Sequence, residues 1–147
     1  FAVVKNMWQV LEYVKFMNQK DPAYRYRPNE LYDLTVRMLF KNRLHLHSRY
    51  TICFARRGAK DRTRELQGQL EIAKARFAET QGFESAGQIE VLPKLSREEA
   101  GLQAVDYFLW ALQGAYERGE DRFIATLWDK VGVIHDVDDK REKPYGV

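Results

Sequence analysis

Hydrophobic and polar positions fall into two rhythms along this chain. From Asn6 to about Asn18, Trp8, Leu11, Val14 and Met17 recur at three- to four-residue spacing, which predicts an amphipathic helix. Asp21-Pro22 breaks it. Pro28 suits the first turn of a second helix, with Leu31, Leu34, Met38 and Leu39 on one side, running to about Leu46. Leu66, Leu70, Ala73 and Phe77 mark a third helix from Thr63 to Thr80. Ser96 and Glu99 have the spacing of a capping box ahead of a fourth, which ends at Arg118 before Gly119. A shorter helix is expected from Asp121 to about Lys130.

The other rhythm belongs to strands. Tyr50 to Ala55 is almost continuously apolar, which predicts a central strand covered on both faces. Phe1 to Val4, Gln88 to Leu92 (closed by Pro93) and Val131 to Ile134 read as shorter strands. Strands alternating with helices predict an α/β fold with helices packed on a mixed sheet. Residues 1–135 are expected to form one domain, and 136–147 an exposed tail.

Composition narrows the class. The chain has 147 residues, 45% of them hydrophobic and 13% aromatic, enough for a folded core. No apolar run approaches the length of a transmembrane helix. The single cysteine, Cys53, sits in the strand-like Tyr-Thr-Ile-Cys-Phe and reads as a small buried hydrophobe; a reducing, cytoplasmic location follows. The chain opens on Phe1 in a strand-like segment and reads as a fragment. Residues 1–76 hold sixteen Lys and Arg against seven Asp and Glu, a net of +9. Residues 77–147 hold eight against fourteen, a net of −6, and together they make the overall +3. A basic half beside an acidic half suits a polyanion partner near a carboxylate site, or two solvated faces that balance each other.

The stretch Leu-Gln-Ala-Val-Asp-Tyr-Phe-Leu-Trp, residues 102–110, sets an aspartate inside an apolar run. On a helix, Leu102, Val105, Leu109, Leu112 and Tyr116 form one stripe, and Gln103, Asp106 and Trp110 the strip beside it. Asp106 is therefore expected at the border of the core face, partly desolvated. There it is either paired with an arginine or a helix cap, or is a ligand for a metal.

The segment Glu-Ala-Gly-Leu-Gln-Ala-Val-Asp-Tyr-Phe-Leu-Trp-Ala-Leu-Gln, followed by Tyr-Glu-Arg-Gly-Glu-Asp-Arg-Phe, resembles the C-terminal part of the domain-of-unknown-function 3800 family. Gln103 and Asp106 match that family's Gln-x-x-Asp motif. Tyr-Arg-Tyr-Arg-Pro-Asn, Phe-Ala-Arg-Arg-Gly-Ala-Lys-Asp-Arg and Ile-His-Asp-Val-Asp-Asp extend the likeness over most of the chain. The family's N-terminal Asp-Glu motif has no counterpart here. The resemblance implies an RNase H-like fold lacking its first strands. It also implies a nuclease-like activity on DNA or RNA, with carboxylates holding Mg²⁺ or Mn²⁺. Asp106 would be a metal ligand and Gln103 its orienting neighbour. The missing acids would come from an absent N-terminal segment or a partner chain.

Further candidates surround this reading. Asp61 is either a second acid or a charge at a helix N-terminus. Arg56, Arg57, Lys60 and Arg62 cluster, with Arg64, at a strand-to-helix turn, where they either meet phosphates or shield the carboxylates. Four such contacts would give a slope of log K on log salt of about −3 to −4. Arg25 and Arg27 interleave with Tyr24 and Tyr26 as in a single-strand binder, or pack tyrosine inward and leave arginine in water. His45-x-His47 has the wrong spacing for a shared helix face. His135-Asp136-x-Asp138-Asp139 offers ligands for a cation but lacks the glycine and distal glutamate of an EF-hand loop, and reads as a solvated acidic tail. A non-catalytic nucleic-acid-binding or protein-interaction module is the rival expectation.

Overall fold

A computed structural model describes residues 1–56 and 61–139. The chain is α/β. In order it forms β1 (Ala2–Val4), α1 (Met7–Lys20), α2 (Pro28–Phe40), β2 (Arg49–Ala55), α3 (Thr63–Gln81), β3 (Gln88–Lys94), α4 (Ala100–Arg118), α5 (Arg122–Leu127) and β4 (Ile134–Asp136). The expected helices form, and so do three of the four expected strands; the last shifts from Val131–Ile134 to Ile134–Asp136, and β3 runs on through Pro93 to Lys94. Asn6 caps α1 by accepting the Trp8 N–H at 2.9 Å, Pro28 opens α2, and Gly119 closes α4 at φ 65°.

The mixed sheet is not what forms. The described strands make two separate parallel pairs, β1 with β4 and β2 with β3. The expectation that β2 is central therefore fails: it pairs on one side, Ile52 is buried, Thr51 is exposed and Cys53 is only half-buried. Periodicity reports which residues are apolar, not how many strands will cover them.

Each pair has its own core. Val36 and Leu44 join Ile52, Leu66, Leu70, Ala73 and Val91 around β2 and β3, so α2 and α3 cover that sheet. Ala111, Leu112, Ile124 and Ile134 form the second core, with α4 and α5 over β1 and β4. The halves touch where α2 reaches β1 and α4 reaches β2. The Arg43 guanidinium, just past α2, also lies 3.8 Å from the Phe1 ring centre.

Other departures are local. The predicted second helix stops at Phe40, and residues 41–46 turn so that Leu44 can enter the core. The Ser85 hydroxyl donates to the Leu44 carbonyl there. The stripe on α1 is covered only in part: Trp8 is 75% exposed and Leu11 is open, while Val14 and Met17 are half-buried, and the one buried residue of the helix is Val10. The tail boundary also moves. Asp136 ends β4, and the Asp138 carboxylate pairs with Lys5 and accepts the Asn6 N–H at 2.6 Å. Residues 136–139 therefore pack against β1, and residues 140–147 lie outside the description.

Candidate functional site

Helix α4 carries the Gln-x-x-Asp pair. The predicted capping box does not form. Ser96 instead starts a single 3-10 turn over Ser96–Glu98, and α4 begins at Ala100, with Glu99 O accepting the Leu102 and Gln103 amides at 3.0 and 3.2 Å. Gln103, Asp106 and Trp110 follow one another along the helix as expected, and all three are exposed. Partial desolvation of Asp106 is thus corrected. The apolar stripe next to it is itself open, with Val105 51% and Leu109 50% exposed. Burial on α4 concentrates at Ala111, Leu112 and Gly114, toward its C-terminal end. Among the described residues neither the Gln103 nor the Asp106 side chain has a hydrogen-bond or ion-pair partner, so the arginine pairing weighed for Asp106 is not made.

Asp61 serves the start of α3. Its Oδ1 accepts the Thr63 N–H at 2.8 Å and the Thr63 hydroxyl at 2.6 Å. These hydrogen bonds, with Arg56 and Arg64 adding to them, hold its carboxyl below the usual carboxylate range. This is the helix-terminus alternative, realised as an Asx turn.

The basic residues separate. Arg62 is not a free phosphate ligand: it donates to Asp33 Oδ1 at 2.6 Å and Asn29 Oδ1 at 3.3 Å, bridging to α2. Arg25 folds back onto the Pro22 and Tyr24 carbonyls, both at 2.8 Å, and Arg27 faces Glu30 at 3.4 Å; both stay exposed. Tyr24 meets Tyr13 edge-on at 6.5 Å, which ties the loop to α1. Arg56 is exposed at the end of β2. Arg57 and Lys60 lie outside the described residues. The two histidines do not converge: His45 stacks on Phe77 at 4.1 Å, and His47 meets the Tyr50 ring.

A feature that the sequence reading set aside lies at the carboxyl ends of β1 and β4. A groove of about 670 Å³ opens there between α4 and the start of α1. Its polar wall includes Lys5, Asn6, Gln113, Glu117 and Asp136, and Trp8, Leu109 and Leu112 make its apolar wall. Partial burial, then the Asp136 and Asp139 carboxylates, push the Tyr116 hydroxyl above its ordinary range. Asp136 reads in the sequence as part of a charged tail, yet it ends β4 and lines this groove. The available signal was Lys5 directly after one strand and alternating acids directly after another.

Fold and site define a class no finer than this: an α/β chain with two parallel strand pairs, an open α4 face and a groove at the strand ends. Comparison with family models, curated proteins and solved structures finds no match to the chain. Among the described residues no three His, Cys, Asp or Glu side chains stand close enough together to hold a metal ion. No described helix is long and apolar enough to cross a membrane.

Proposed function

We propose that this chain is part of a metal-dependent, nuclease-like domain of RNase H-like type, acting in the cytoplasm on DNA or RNA. What supports the reading is the state of Asp106: an exposed carboxylate, unengaged among the described residues, one helical turn from Gln103, which is also exposed. Asp106 is the ligand for Mg²⁺ or Mn²⁺, and Gln103 orients it or the substrate.

The donor chemistry suits a hard cation, which takes oxygen ligands. The number does not: one carboxylate and one amide oxygen fall short of the roughly six donors such an ion takes. Further carboxylates therefore come from another polypeptide segment or a partner chain. A bound metal would supply an activated water and neutralise phosphate charge. The chain's own residues present the α4 ligand and hold the nucleic acid, with Arg25, Arg27 and Arg56 as the exposed cations. Three such contacts to a single strand give a slope of log K on log salt of about −2.

A second reading, a non-catalytic binding module, is favoured by the missing carboxylates. Cleavage of end-labelled single-stranded DNA and RNA in Mg²⁺ or Mn²⁺ separates the two, comparing the full protein with Asp106→Asn. Cleavage abolished by the substitution supports the nuclease. Equal cleavage by both removes Asp106 as a ligand, and binding without cleavage favours the module.

A further inference from the structure

The two edges of the β2–β3 pair are built differently. In a parallel pair, alternate residues of each strand direct their N–H and C=O to the partner, and the residues between direct theirs away. Gln88 donates to the Ser48 carbonyl at 2.9 Å and Arg56 to the Lys94 carbonyl at 2.8 Å, which sets the alternation. Even-numbered residues of both strands bond across the pair. Odd-numbered ones face outward.

On β3 the outward edge is engaged in part. The Ile89 carbonyl accepts from Gln67 Nε2 at 3.1 Å, Gly87 O just before the strand accepts from Lys74 Nζ at 2.8 Å, and Pro93 has no N–H to offer. On β2 the outward groups belong to Arg49, Thr51, Cys53 and Ala55, and among the described residues nothing pairs with them. That leaves the most strand-like segment of the chain with an unprotected edge, the form that natural sheets avoid unless something pairs there. Beside this edge Cys53 and Ala55 are half-buried and Thr51 is exposed. The two ends of the edge carry exposed arginines, Arg49 and Arg56.

We propose that the free edge of β2 is a docking site for an extended polypeptide segment with an apolar centre and acidic flanks, which adds a strand beside Thr51, Cys53 and Ala55. Only a backbone in β form presents donors and acceptors at the spacing of these groups. Apolar side chains on the incoming strand complement Cys53 and Ala55, and acidic flanks complement Arg49 and Arg56. The inference stands without the nuclease reading, since it uses neither Gln103 nor Asp106.

The test is selection of a displayed random octapeptide library on the 147-residue chain, followed by synthesis of the enriched peptides. They are expected to share alternating apolar residues with acidic ends, and N-methylation at alternate backbone positions should abolish binding. Thr51→Pro removes an outward N–H and leaves the β2–β3 ladder intact, so affinity should fall about tenfold. Thr51→Val, which keeps that N–H, should bind within about twofold of the parent. Circular dichroism confirms that both variants are folded; if the proline variant is not, Thr51→Lys, which blunts the edge by charge, replaces it. Failure to enrich any peptide, or equal binding by the edge-blocked variant and Thr51→Val, overturns the proposal. So does light scattering that shows a dimer dissolved by Thr51→Pro, because the occupant would then be a second copy.

Discussion

Arg62 donates to Asp33 across 2.6 Å, joining the residue before α3 to the middle of α2. Both side chains are about one-fifth exposed, so the bond is shielded more than a surface pair but is not buried. Arg62→Ala should lower stability by about 1–2 kcal/mol, read as a shifted urea midpoint. Because this guanidinium is occupied, oligonucleotide affinity measured by fluorescence anisotropy should change less than for Arg56→Ala. The opposite order would return Arg62 to the phosphate-binding group.

Leu70 has no exposed surface and lies at the centre of the β2–β3 core. Leu70→Ala should cost about 3–4 kcal/mol, the sum of lost transfer energy and an unfilled cavity. Equilibrium unfolding measures it directly. A cost under about 1 kcal/mol would mean that this core is loosely packed.

Gly87 lies where the chain enters β3. A Cβ built there would stand 2.8 Å from Tyr50 Cε2, 2.9 Å from His47 O and 3.0 Å from Leu44 O. Two of these three are backbone atoms and cannot swing aside. Gly87→Ala should destabilise by about 2 kcal/mol, through displacement of the 41–46 turn. Thermal melts of the two proteins check the sign.

Asp61 makes stability depend on acid pH. Its folded carboxyl titrates below its ordinary value because Thr63 donates to the ionised form. The stabilisation is therefore complete above the unfolded value, about 3.9, and disappears as pH falls through the lower folded value. Asp61→Ala should lower the melting temperature near neutral pH and make its decline between about pH 4 and 2 shallower. Parallel acid limbs for both proteins would show that these hydrogen bonds do not persist in solution.

Asp106→Asn should leave stability within about 0.5 kcal/mol of the parent, since the carboxylate is exposed and has no partner among the described residues. Any loss of cleavage in that variant is then a loss of chemistry, not of fold. A destabilisation above about 1 kcal/mol would instead reveal a structural role.

Local chemistry determined a large part of this protein from the sequence alone. Pro28, Gly119 and the spacing of Leu66, Leu70, Ala73 and Phe77 act within a few residues, so the elements they mark were legible, as was the strip holding Gln103, Asp106 and Trp110. Tertiary structure decided what meets what. It divided the expected sheet into two parallel pairs, left Val105 and Leu109 beside Asp106 open, and engaged Arg62 with Asp33. It also drew Asp138 from the expected tail onto Lys5, 133 residues away. Periodicity records which side of an element is apolar; burial and pairing depend on what distant segments bring to that side, which no local pattern encodes.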